Sequence, residues 1–148
     1  MTHGSRVLTL DSNVLIASLK KDEHHSEKCS EILRKVPGKF ILSEPSIVYQ
    51  EVCGTLARRV GADVAHKARK QLDLIIHPKL LTNCNRTFCI SAYPLCFKYN
   101  IYAIDAMYLK VALDNNAILV SLDKEDFIDK LATKKLNIET YHVSEFPY

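Results

Sequence analysis

Residues 6–16 read RVLTLDSNVLI and residues 117–123 read AILVSLD. Each begins with a short run that is apolar at successive positions, so an extended chain would be greasy on both of its faces. A strand of that kind suits the interior of a parallel sheet covered by helices on both sides, not a sheet with one wet face. Parallel neighbours need long crossover connections, which are usually helical. The two runs therefore commit the chain to an α/β architecture before any other residue is considered. Both also stop at a carboxylate, Asp11 and Asp123. The carboxyl ends of parallel strands open into the crevice where ligands of open α/β sheets bind.

The intervening chain supplies the helices. Ser12 to Leu19 reads as a short helix that Asp11 or Ser12 can cap. From His24 to Val36, the residues Cys29, Ile32, Leu33 and Val36 fall at helical spacing before Pro37-Gly38. Phe40-Ile41-Leu42 is a short strand, and Ser43-Glu44-Pro45-Ser46 reads as the start of a helix with Val48, Val52 and Leu56 in its stripe. Gly61 ends that helix, and Asp63 to Ile76 forms another. Leu80-Leu81 is a weak strand or a sheet edge. Thr87 to Tyr99 is helical with a kink at Pro94. Asp105 heads a helix reaching Asn115, with Asp105, Tyr108, Leu109 and Ala112 on one face. Ala117 to Leu122 is the second buried strand, followed by a helix over Lys124 to Leu131 and a last strand near Ile138 to His142. The expectation is one three-layer α/β/α domain over residues 1–148, with a central, mainly parallel sheet.

Composition narrows the function classes. At 148 residues, 47% hydrophobic and 25% charged, the chain is an ordinary globular domain. No apolar run approaches the ~20 residues of a membrane span. The opening MTHGSRVL has no apolar core or cleavage site, so no export signal is expected and the cytoplasm is the default location. Five cysteines, at 29, 53, 84, 89 and 96, include no C-x-x-C pair and match no common zinc spacing; they read as small buried hydrophobes. Nucleotide-binding glycine loops, H-E-x-x-H and G-x-S-x-G are all missing from the sequence.

Four acids stand where packing should exclude lone charges: Asp11 and Asp123 at strand ends, Asp105 on an inward helix face, and Glu51 beside the apolar stripe of its helix. Singly, Asp11 and Asp123 read equally well as helix caps, Asp105 as another cap, and Glu51 as a side chain reaching out to water. Together they repel one another and would take up protons unless a cation is present. Mg²⁺ or Mn²⁺ suits such a set, because hard cations choose oxygen ligands. A cation held there activates water and polarises phosphate, so phosphodiester hydrolysis is the natural use. With the four acids turned inward, the 20 basic residues outnumber the acids left on the exterior, and that surface favours a polyanion. Lys20, Lys21, Arg58, Arg59 and Lys124 are candidates for phosphate contacts, and each reads as well as part of a solvated helix face.

In order and spacing, Asp11-Ser12-Asn13-Val14-Leu15-Ile16, the isolated Glu51, Ile104-Asp105-Ala106-x-Tyr108 and Ser121-x-Asp123-x-x-Asp126-Phe127 resemble the PIN domain, and within it the small VapC-like toxins. The resemblance implies a metal-dependent endoribonuclease of a toxin–antitoxin pair, with RNA as substrate, an antitoxin protein as partner and a homodimer as the assembly. It places the four family acids on Asp11, Glu51, Asp105 and Asp123, which would bind Mg²⁺ or Mn²⁺ and carry the chemistry. Ser12, Asn13, Ser121 and Asp126 fall around them as supporting residues. Ser121 stands where threonine is more usual, which keeps the hydroxyl; Asp126 is either a further ligand or a surface acid.

Two other enzyme classes fail on single residues. A haloacid-dehalogenase-type phosphatase needs an acid two positions after Asp11, where Asn13 stands; a response-regulator receiver needs paired acids at the end of the first strand. An RNA-processing nuclease outside a toxin–antitoxin pair, or a PIN-like module that binds RNA or protein without cutting, remain the alternatives.

Overall fold

The structure, a computed structural model, describes residues 6–22 and 24–148. The reading of the first five residues as lacking an export signal lies outside the described residues. The chain runs β1 (Arg6–Leu10), α1 (Ser12–Leu19), α2 (Ser26–Leu33), β2 (Phe40–Pro45), α3 (Ile47–Arg59), α4 (Ala62–Ile75), β3 (Ile76–Thr82), α5 (Arg86–Ala92), α6 (Pro94–Tyr99), α7 (Ala103–Asp114) and β4 (Ile118–Ser121). A π-helical turn (Lys124–Ile128), α8 (Asp129–Ala132), β5 (Thr140–His142) and a 3₁₀ turn (Val143–Glu145) follow.

The five strands form one sheet in the order β3-β2-β1-β4-β5, and every neighbouring pair is parallel. The chain moves outward from β1 through β2 to β3, then returns to the other side of β1 for β4 and β5. Right-handed crossovers in opposite directions place their helices on opposite faces. Accordingly α1 packs on α2 and α3, and α3 on α4, while α7 lies across β1, β2 and β4 and takes α5 and α6 against it. Between these layers Leu8, Leu10, Leu119 and Val120 are fully buried, as their two-sided apolar pattern requires. The reversal of strand order falls between β1 and β4, whose carboxyl ends carry Asp11 and, two residues beyond Ser121, Asp123.

Several boundaries differ from the sequence expectation, each for a local reason. β2 runs on through Ser43-Glu44-Pro45, where a helix start was expected; Pro45 is its last residue, so the missing N–H costs the ladder little. β3 is a full strand with a bulge: Leu42 pairs with Ile76 and Glu44 with Leu81, so residues 77–80, including Pro78, face the single Ser43. α2 begins only after His25, which holds a left-handed conformation (φ 65°), and Val36 reaches the core from a turn. Pro94 does not kink one helix but starts a second, α6, as its fixed φ and absent N–H favour. The last helix is split into the π-helical turn and α8. All five cysteines are free, and no helix among the described residues is long and apolar enough to cross a membrane.

Candidate active site

Asp11 sits at the N-cap position of α1, yet its side chain makes no capping hydrogen bond. Instead Ser121 Oγ donates to Asp11 Oδ2 at 2.7 Å, and Asn13 Nδ2 donates to the same oxygen at 3.3 Å. Asn13 also donates to Ser121 Oγ at 3.3 Å and accepts from the Leu122 amide at 3.1 Å. Ser121 Oγ in turn accepts from the Asp123 amide at 3.0 Å. Asn13 and Ser121 thus tie the end of β1 to the end of β4 and aim Asp11 into the crevice between them. Ser12 is buried beside Asp11, and its backbone N–H favours the charged carboxylate.

The other acids arrive from different elements. Asp123 does act as a cap: its side chain accepts from the Asp126 amide at 3.1 Å, within the π-helical turn, which engages one oxygen and leaves the other. Asp105 is half-buried in the first turn of α7. Glu51 is half-buried on α3, and its Oε1 is buried without a hydrogen-bond partner. Asp126 is exposed and lies 4.0 Å from Lys130 Nζ.

Electrostatics shows that these carboxylates share one neighbourhood. Burial, opposed by the Ser121 hydrogen bond and reinforced by Glu51 and Asp123, pushes the Asp11 carboxyl up to about 6. Burial again, with Asp11, Asp123, Glu51 and Asp126 adding repulsion, pushes Asp105 up to about 7. None of the leading contributions to either shift is a cation. An all-oxygen set of mutually repelling carboxylates, one with an orphaned buried atom, fits a hard divalent cation. Among the described residues no three Asp, Glu, His or Cys side chains stand ready as they are to hold an ion.

Two residues at the site were given no functional role by the sequence reading. Glu44, on β2, is wholly buried; its Oε2 accepts from the Leu10 amide at 2.8 Å and its Oε1 has no partner. Burial drives its carboxyl well above the ordinary range, opposed by the Leu10 hydrogen bond and reinforced by Asp11 and Glu51. Tyr108 on α7 is also wholly buried, and its hydroxyl lacks a partner; burial first, then Glu44, Glu51 and Asp11, raise its ionisation. The signal for Glu44 was present. Phe40-Ile41-Leu42 followed by an acid repeats the pattern of Asp11 and Asp123, and Pro45 hid it by suggesting a helix start.

The sequence matches the PIN domain family over residues 8–134. No curated protein matches the sequence. Among solved structures, the fold is similar to VapC20 of Mycobacterium tuberculosis, a sarcin–ricin loop cleaving toxin, with TM-score 0.69 at 13% identity over 89% of this chain and 98% of that one. It is also similar to a toxin–antitoxin complex from Klebsiella pneumoniae (TM-score 0.65, 17% identity, 89% and 98% covered). VapBC-1 from nontypeable Haemophilus influenzae gives TM-score 0.65 at 14% identity, with 94% and 99% covered.

Proposed function

The chain belongs to the PIN domain family, and from that premise we propose that it is a metal-dependent endoribonuclease, the toxin of a toxin–antitoxin pair, acting in the cytoplasm as one domain. The observation that carries the reading is the meeting of Asp11, Glu51, Asp105 and Asp123 in one electrostatic neighbourhood at the strand-order reversal. Those four residues would hold Mg²⁺ or Mn²⁺. Such a cation, when bound, supplies Lewis acidity toward a phosphate and makes a water a better nucleophile.

The chain's own groups divide the remaining work. Ser121 and Asn13 fix the Asp11 carboxylate through Oδ2, and the Asp126 amide fixes Asp123. Glu51, whose buried Oε1 has no hydrogen-bond partner, would complete the cation's shell or orient the attacking water and accept its proton. Phosphates of RNA would meet lysines and arginines on the rim, although Lys124 already pairs with Asp129 and Glu145. Exposed Leu74, Tyr93 and Phe97 leave apolar surface for protein partners, here an antitoxin and a second copy of the chain.

The deciding experiment incubates the purified chain with RNA in Mg²⁺ or Mn²⁺ and repeats it in EDTA. Cleavage that stops with the chelator is expected; cleavage that survives it overturns the metal dependence, and no cleavage at all favours a binding module. Expression in a bacterial host should arrest growth unless the product of a small neighbouring gene is supplied. Cleavage without arrest would favour RNA processing.

A further inference from the structure

Among the described residues three buried side-chain polar atoms lack a hydrogen-bond partner: Glu44 Oε1, Glu51 Oε1 and the Tyr108 hydroxyl. All three belong to one place. Glu44, Glu51 and Asp11 are the charges that act on Tyr108, and Asp11 and Glu51 those that act on Glu44. Folded proteins leave few such atoms, and a cluster of them beneath an active site demands a reason.

The strand registers give half of it. β1 pairs with β2 at Arg6, Val7 and Leu8 and no further, while its pairing with β4 continues through Leu10. The sheet therefore splits at its carboxyl edge between β1 and β2. On that side the Leu10 amide would lose its acceptor, and Glu44 Oε2 takes the place of the missing ladder bond. The residue preceding Asp11 is thus anchored to β2 by a side chain. A serine or an amide could satisfy one N–H without burying a carboxyl group. Its second oxygen has no hydrogen-bond partner, and the ionisable groups that interact with this carboxyl are Asp11, Glu51 and Tyr108.

We propose that Glu44 is a positioning residue for the acid cluster: one oxygen fixes Asp11 through the Leu10 amide, and the other, with the Tyr108 hydroxyl, sets the Glu51 carboxylate. The inference rests on the metal-nuclease reading above. Groups that orient metal-binding side chains typically change metal affinity or activity by about 10–100-fold when removed.

The test uses three variants of the full chain. Glu44→Leu removes both oxygens at similar volume, Glu44→Gln returns an acceptor to Leu10, and Tyr108→Phe removes one hydroxyl. Mn²⁺ affinity is measured by calorimetric titration, kcat and KM on RNA at saturating Mn²⁺, and folding by circular dichroism. Glu44→Leu is expected to weaken Mn²⁺ binding and lower kcat by about tenfold each with KM unchanged, and Glu44→Gln, which restores only the acceptor for Leu10, to recover part of each loss. Tyr108→Phe should lower kcat severalfold in a fully folded protein. Folded Glu44→Leu and Tyr108→Phe proteins with wild-type Mn²⁺ affinity and kcat overturn the proposal; if Glu44→Leu does not fold, Tyr108→Phe alone decides by the same two readings. A wild-type chain that binds Mn²⁺ but cuts no RNA overturns the nuclease reading instead, and the Mn²⁺ titrations of the variants still judge Glu44.

Discussion

The two edges of the sheet treat carboxylates in opposite ways. At the amino edge, Glu139 precedes β5 and accepts from Arg6 and from the hydroxyls of Tyr141 (2.6 Å) and Tyr148. The Tyr141 and Tyr148 hydrogen bonds and then Arg6 hold its carboxyl down to about 2, and the Arg6 guanidinium also stacks over the Tyr148 ring at 4.6 Å. At the carboxyl edge, Asp11, Glu44 and Asp105 are raised, chiefly by burial. At one edge the donors outweigh burial; at the other, burial and neighbouring acids outweigh the donors to Asp11 and Glu44. Stability explains the first, and the second is the kind of repulsion that the proposed cation would relieve.

The largest expected effect separates the edges by chemistry. Asp11→Asn should lower RNA cleavage in Mn²⁺ by at least about a hundredfold. Retained activity would remove the distinction between the edges. Next comes the cation itself: Mn²⁺ at about a hundred times its Kd should stabilise the fold by about 2.7 kcal/mol, seen as a rise in Tm of roughly 5–10 °C over the same protein in EDTA. No shift would mean that the repulsion at the carboxyl edge is relieved in some other way.

The pH dependence sharpens the contrast further. The raised Asp11 and Asp105 bind protons more tightly in the folded chain than in the unfolded one, starting from 3.8 and reaching about 6 and about 7. Their effect on stability is therefore unfavourable as pH rises from about 4 through 7, and stays so above. Glu139 has the opposite sign: its stabilisation is present above its ordinary 4.5 and is lost as pH falls toward about 2. In EDTA, melting temperature should fall between pH 5 and pH 8, and Asp11→Asn should flatten that fall; a rise across this window contradicts the assignment. The smallest effect belongs to the amino edge. Glu139→Gln should cost under about 1 kcal/mol, because Arg6 and Glu139 are both partly exposed, and should leave cleavage unchanged.

What the sequence made legible followed from strong local patterns. The two-sided apolar runs gave β1 and β4, and the opposed helix layers followed from what such strands must be covered by. The sheet proved wholly parallel where mainly parallel was expected. Residues whose state is settled by distant partners were not legible. β3 carries Pro78 in a bulge that depends on the pairing of β2, and Pro45 looks like a helix start until Thr82 lies beside it. Glu44 is the clearest case at the site. An acid next to proline reads as surface, and only the early end of the β1–β2 pairing creates the orphan amide that draws it inward. Asp11 shows the reverse: its motif allowed a cap, and the bond from Ser121, 110 positions away, takes its side chain elsewhere.

That separation has a consequence for synthesis. The chain leaves the ribosome amino end first. While β1, β2 and β3 are being made, Asp11 has Glu51 within the emerged segment but no β4 beside it. Ser121, Asp123 and the strand that closes the crevice are made only about 110 residues after Asp11. Until β4 emerges, the nascent chain holds Asp11 and Glu51 without Ser121 and Asp123, so the candidate site cannot assemble on a fragment that stops short of β4.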